Sequence, residues 1–274
     1  MKYGFVLPLG DARIAAELGY EAEAAGWDGF FVWDAVWGID PWISLTAVAM
    51  GTERIKLGTM LTPVSRRRPW KLASETTTLD NLSNGRVILA VGLGAPDTGF
   101  AEFGEETDRK VRAELLDEGL DIITGLWRGQ PFNYSGKHYR IRETTFLPPP
   151  PPVQSPRIPI WVVGAWPRPK SMQRVLRYDG LLPNKLNPDA SQGTVTTDDI
   201  RDMKACIVEH RRETTPFDIV MEGETPGDDP QRAAAIVHPF VEAGITWWLD
   251  SMWNEQKAIE PVRRRIRQGP PRLD

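Results

Sequence analysis

Asp34, Glu222 and Asp250 each close an apolar, strand-like run, in GFFVWD, FDIVME and TWWLD. A carboxylate so placed can exchange a proton with a ligand lying across strand ends, or can be held in an ion pair there. Two other runs end in glycine, at Gly92-Leu93-Gly94 and Gly164-Ala165-Trp166, where a missing Cβ lets the backbone approach a ligand closely. The chain also holds 11 tryptophans. Trp37, Trp42, Trp166, Trp247, Trp248 and Trp253 fall near run ends, where indole faces suit a planar heterocycle; Trp27, Trp127 and Trp161 read as core. The three histidines, His138, His210 and His238, close no strand, which argues against a histidine metal cluster or a Ser-His-Asp triad. Gly92-Leu93-Gly94 departs from a dinucleotide fingerprint, because Asp97 replaces the third glycine and follows Pro96. A ligand-ready rim without an evident acid, base or metal points to reactivity borrowed from a cofactor.

The elements that must position these residues are most legible from Arg54 to Gly94. RIKLGTML and RVILAVG are almost continuously apolar, as strands buried on both faces are. Between them Leu72, Thr76, Leu79 and Leu82 fall at helical spacing, and Ser83-Asn84-Gly85 supplies a stop and a turn. That is a β-α-β unit. YGFVL, GFFVWD, IPIWVVG, DGLLP, FDIVME and TWWLD supply six more strands. Helices are expected around Ile14 to Ala25, Trp42 to Gly51, Leu115 to Trp127, Ser171 to Arg177, Asp198 to Arg211, Arg232 to Ala243 and Glu255 to Arg267. Alternation throughout favours an α/β fold, a closed (β/α)8 TIM barrel forming one domain over residues 1–274, with active residues at the strand carboxyl ends.

An insertion lies between strands 4 and 5. GAPDTGFAEFGEETD should be an irregular loop on the upper face, and FNYSGKHYRI a hairpin about Ser135-Gly136. The proline run from Pro148 to Pro152 is an extended strap leading into IPIWVVG.

With 33 basic and 37 acidic side chains the formal charge is −4, so no strong field points to nucleic acid or an anionic membrane. A small-molecule ligand is expected. No signal-peptide core and no apolar run long enough to span a bilayer is evident, which leads us to expect a soluble, cytoplasmic protein. The single cysteine, Cys206, lies in a helical pattern and reads as packing.

Over nearly its whole length the chain resembles the bacterial luciferase-like family of flavin- or deazaflavin-dependent oxidoreductases. The matching pieces are GFVLP, WDGFFVWD, IPIWVVGAW, the YDG turn and, most specifically, the stretch from Arg54 to Ala95, in which Leu79, Asp80, Leu82, Ser83, Gly85 and Arg86 fill the family's helix-ending pattern. The resemblance implies a barrel whose mouth holds FMN or coenzyme F420, for hydride transfer or monooxygenation of a small organic substrate. It implies a non-prolyl cis peptide near Thr59-Met60-Leu61 supporting the ring, Gly92 and Gly94 against the ring edge, and Asp34 as the family's acidic residue after strand 2. The cofactor's phosphate end should lie at Gly164, Ala165 and Trp166, at amides of a helix start, with Arg168 close by. Arg66, Arg67 and Arg68 could serve an anionic tail, a solvated face or a subunit contact. Trp33, Trp37, Asn184 and Trp253 are expected to meet substrate, and a homodimer is the family's usual assembly. Many deazaflavin-dependent relatives carry a histidine where this chain has Ala35, so the proton donor stays open among Asp34, Glu222 and Asp250. Arginine outnumbers lysine 24 to 9, a hint of GC-rich coding that leans towards the deazaflavin. A non-catalytic flavin-binding relative and a phosphate-binding barrel isomerase or lyase are the alternatives.

Overall fold

The computed structural model describes residues 1–145, 147–189, 191–255 and 258–272. Each apolar run becomes a strand followed by a helix that covers it. The first half comprises β1 (Lys2–Leu7), α1 (Ala12–Ala25), β2 (Gly29–Val32), α2 (Pro41–Gly51) and β3 (Lys56–Thr59). After a two-residue strand β4 (Thr62–Pro63) come α3 (Pro69–Leu82), β5 (Val87–Gly92) and α4 (Arg109–Arg128). The insertion then forms the expected hairpin, β6 (Phe132–Ser135) against β7 (Arg140–Thr144). The second half comprises β8 (Ile160–Trp166), α5 (Pro169–Val175), β9 (Gly180–Leu186), the short β10 (Gln192–Gly193) and α6 (Thr197–His210). It closes with β11 (Asp218–Gly223), α7 (Pro230–Ala243), β12 (Trp247–Ser251) and α8 (Ile259–Arg267). Part of the helix expected from Glu255 falls at residues 256 and 257, outside the described residues.

All barrel pairings are parallel and run β1-β2-β3-β5-β8-β9-β11-β12 and back to β1, which closes a (β/α)8 TIM barrel. One departure from the sequence reading matters for the mouth. The third strand was expected to run through Leu61, but β3 ends at Thr59 and pairing to β5 resumes with Thr62 opposite Val91; between them the Met60–Leu61 peptide is cis, as the resemblance implied.

Two apolar layers hold the barrel. The outer one lies between strands and helices and includes Trp27, Trp42, Trp127 and Trp248. The inner one fills the barrel with Phe31, Trp161, Trp247 and smaller aliphatic side chains. Trp161 packs on Phe31 at 5.6 Å and on Trp247 at 5.2 Å between ring centroids. Such bulk fits because neighbouring strands carry glycine: a Cβ on Gly4, Gly29 or Gly58 would strike the Phe31 ring. Trp42, Trp247 and Trp248 are thus core rather than rim, with 4%, 1% and 2% exposure.

The helix-ending motif proves to be scaffold. The Asp80 carboxylate accepts from the amides of Val153 and Gln154 and from the Gln154 side chain, and so fastens the proline strap to α3. Arg86 is buried and donates to Ser83 O, Thr52 Oγ1 and Ala49 O, joining the ends of α2 and α3 to the start of β5.

Candidate active site

The carboxyl ends of the strands open on a cavity of about 1410 Å³. Its floor is apolar: Met60, Leu61, Val163 and Trp253 line it and rest on the inner core. Leu61 follows the cis bond and packs beneath Gly92, where a Cβ would lie 3.1 Å from its methyls and 3.0 Å from Val163. A side chain there would crowd the floor. Gly94 turns at φ +74°, and a Cβ would meet Phe100 and Pro63 at 2.8 and 2.9 Å.

Asp34 lines this cavity from the end of β2 but spends its charge on the protein. Arg67 grips both carboxylate oxygens, Nε–Oδ2 at 2.7 Å and an Nη–Oδ1 bond at 3.0 Å. Arg66 meanwhile donates to the carbonyls of Asp34 and Ala35 at 2.9 and 2.8 Å. Two of the three consecutive arginines therefore hold the β2–α2 loop in place, the bidentate guanidinium geometry fixing its direction.

The wall at the starts of α4 and α5 is cationic. Arg112 is buried, donates to the carbonyls of Leu93 and Gly94 at 2.7 and 3.2 Å, and lies over the Phe100 ring. Arg174 and Arg177 are paired with Asp117 and Asp121. Among the described residues, Arg109, Lys110, Arg168 and Lys170 line the cavity without any carboxylate partner. The expected anion site is altered in one respect: the Ala165 amide donates to Ser171 Oγ at 2.9 Å and the Arg168 amide to Ala165 O at 2.8 Å. Those two amides are occupied, whereas the Arg168 and Lys170 side chains beside them make no ion pair and can receive a phosphate. Arg109, Lys110 and Arg112 were missed from the sequence because DRKVR reads as an ordinary solvated helix start, and Lys170 because PKSM at the start of α5 reads the same way.

Of the residues expected at the site, the cavity gathers Trp33, Asp34, Met60, Leu61, Gly92, Gly94, Ala165, Arg168, Asn184 and Trp253. Others lie elsewhere. Thr59 is buried beside the cavity and donates to Ala90 O. Gly164 faces the helix layer, where a Cβ would strike Leu181 and press on Met172 and Val175. Trp166 packs against the outer core, and Trp37 is 85% exposed away from the cavity.

The three carboxylates separate by facing. In β12 Trp247 and Leu249 point inward, so Asp250 points outward, where it is fully buried and bound by Arg265 at 2.9 Å and by Thr225. It has no access to the mouth. Glu222 shares the inward face of β11 with Val220 and accepts from the indole N–H of Trp253, which lines the cavity. Burial pushes the Glu222 carboxyl above the usual carboxylate range, against the opposing effect of hydrogen bonds from Trp253 and Ser251. Among the described residues it has no cationic partner. Burial likewise pushes the Asp250 carboxyl upward, against the Arg265 charge beside it, but Asp250 faces away from the mouth. No cluster of ligating side chains suited to a metal ion occurs among the described residues, and none of their helices is long and apolar enough to cross a membrane.

Known proteins support the family. F420-dependent glucose-6-phosphate dehydrogenase of Amycolatopsis mediterranei is 35% identical over 139 residues, covering 47% of this chain and 42% of the relative. The enzyme of that name from Rhodococcus hoagii is 26% identical over 304 aligned positions, covering 94% and 85%. At 30% identity or more the chain spans about half the length of the curated relatives it matches. The coenzyme F420-dependent tetrahydromethanopterin reductase of Methanopyrus kandleri superposes with a TM-score of 0.76 at 18% identity over 97% of this chain and 96% of that one, which shows the shared fold. The sequence profile of luciferase-like monooxygenases matches residues 6–271, and the chain belongs to that family.

Proposed function

We propose that the whole chain, residues 1–274, acts as one luciferase-like barrel that binds F420, or FMN as the second reading, across its mouth and oxidises or reduces a small organic substrate. The observation that carries this is the division of one cavity into an apolar floor, Met60, Leu61 and Val163, and a wall on which Arg109, Lys110, Arg168 and Lys170 make no ion pair among the described residues. A fused planar ring with an anionic tail matches both parts. When bound, the ring supplies or accepts the hydride. Arg168 and Lys170 would receive the phosphate, Gly92 and Gly94 keep the ring edge clear of side chains, and Arg67 holds Asp34 in its direction. Glu222, whose carboxyl burial pushes upward and which accepts from the cavity-lining Trp253, is the group of this chain to which we assign the substrate-side proton. Two copies would join through α2 and α3, where Ile43, Met50 and Trp70 are exposed by 65%, 72% and 44%, and a cytoplasmic setting fits the reduced cofactor.

The test is anaerobic turnover of bound F420 or FMN across a panel of alcohols, ketones and enones, followed by ring absorbance, with oxygen uptake measured in parallel. Hydride transfer changes the ring without oxygen, whereas monooxygenation requires it. A bound ring that no substrate reduces or reoxidises would leave a binding protein and contradict the catalytic reading.

A further inference from the structure

Residues 93–108 connect β5 to α4 by a longer path than one strand-to-helix step needs, and connections of that length commonly serve a site. One side chain of this loop is buried at the mouth. Phe100 lines the cavity at 1% exposure, and the loop wraps about it: its amide donates to Pro96 O at 3.3 Å and its carbonyl accepts from the Glu105 amide at 2.8 Å. A Cβ on Gly94 would lie 2.8 Å from the Phe100 ring, so the glycine turn is seated against it.

Two guanidinium groups share that ring. Arg66 lies over it at 5.4 Å and Arg112 at 5.6 Å from the centroid, both within cation–π range. Each arginine spends its hydrogen bonds on a different loop. Arg66 holds the carbonyls of Asp34 and Ala35 after β2, and Arg112 those of Leu93 and Gly94 after β5. Arg112 is 5% exposed and has no carboxylate at ion-pair distance among the described residues, and burial lowers its pKa. The two carbonyls and the ring are therefore what stabilise its charge. The ion pairs of Arg66, to Asp34 and Glu105, are long at 3.9 Å. Because β2, β3 and β5 are successive strands of the barrel, the Asp34 loop, the Met60–Leu61 break and the glycine turn form one arc of the mouth, and Phe100 joins its two ends.

From this arrangement we infer that Phe100 is a positioning residue: through Arg66 and Arg112 its ring locks the Asp34 loop and the Gly92–Gly94 turn into a single arc before any ligand enters. The inference deepens the proposed function and rests on it in one respect, that the cofactor's ring is what meets this arc. A preformed arc spares the ligand the cost of ordering two loops, so loosening it lowers affinity.

The test is Phe100→Leu in the full chain, which keeps an apolar side chain and removes the π face. In the unliganded protein, hydrogen exchange should quicken about tenfold, the scale of one or two cation–π contacts, in peptides covering residues 33–39 as well as 92–99, and by less than about twofold in β1 and β9. Affinity for F420 or FMN, whichever binds, read from the ring's own fluorescence, should fall about tenfold. Arg112→Met supplies a readout that plain packing would not move. With Arg112 already replaced, Phe100→Leu should cost only about threefold in affinity, because one of the two contacts it breaks is already gone. Should Phe100→Leu misfold, Phe100→Met fills the space with an adaptable chain and carries the same expectation. Unchanged exchange at residues 33–39, unchanged cofactor affinity, or an equal cost of Phe100→Leu with and without Arg112 would overturn the inference. Binding of neither F420 nor FMN to the unaltered protein would strike the proposed function, and exchange at residues 33–39 would still decide the role of Phe100.

Discussion

Asp34 lines the cavity and Glu222 is bonded to the cavity-lining Trp253, and their surroundings make the two carboxylates unlike. Asp34 is 6% exposed and held at both oxygens by Arg67, so it is scaffold as well as site. Asp34→Ala should therefore harm folding as well as turnover. Removing one partner of a buried pair costs about 3 to 5 kcal/mol, and Arg67 keeps 20% exposure, so a loss near the lower end, about 3 kcal/mol, is expected in urea unfolding. Unchanged stability would detach Asp34 from the scaffold. Glu222 behaves oppositely. Its folded pKa is raised, so between the unfolded value, about 4.3, and the raised value the native state binds more protons than the unfolded one, and this group's contribution to stability falls as pH rises. Glu222→Gln should therefore gain stability relative to the unaltered protein as pH climbs through that window. Parallel pH profiles would contradict the upward shift. Why Glu222 rather than Asp250 enters the barrel was not legible from sequence: FDIVME and TWWLD are apolar on both faces, so no period-2 signal said which carboxylate pointed inward.

At the scale of elements, the stretch from Arg54 to Gly94 was readable because β3 and β5 are buried on both faces and α3 shows one apolar stripe. The break after Thr59 was legible only by resemblance to relatives, since nothing in the residue types Met60 and Leu61 marks a cis bond. The glycine end of β8 was misread in part. Gly164 looked like a point of approach to a ligand, yet its missing Cβ makes room for Leu181, Met172 and Val175. Gly164→Ala should cost about 1 to 3 kcal/mol by overpacking while shifting F420 affinity less than twofold; a selective loss of affinity would restore Gly164 to the site. Asp80→Ala, which frees the amides of Val153 and Gln154, should lower the melting temperature and speed proteolysis in the proline strap, with cofactor affinity retained once folded. Resistance of the strap to protease in that variant would mean that Asp80 does not fasten it.

For the molecule as a whole, alternating runs and the count of strands sufficed to expect the closed barrel, because each apolar run must be covered by the helix that follows it. What sequence could not show was how the mouth divides. That division depends on which helix starts face one another across the barrel, and residues as far apart as Arg109 and Lys170, or Trp33 and Trp253, meet only after closure. The same closure leaves Ile43, Met50 and Trp70 outside, so sedimentation equilibrium should show a dimer that Ile43→Glu with Met50→Glu weakens by at least tenfold in Kd; a monomer at high protein concentration would exclude that face. The central claim is that the divided cavity holds a planar ring with an anionic tail. Titrating the protein with F420 and with FMN, following tryptophan emission, measures this most directly. Saturable one-to-one binding of at least one of them, weakened by added salt and by Arg168→Ala with Lys170→Ala, is the expected result; failure of both to bind, or binding indifferent to salt and to those cations, would contradict it.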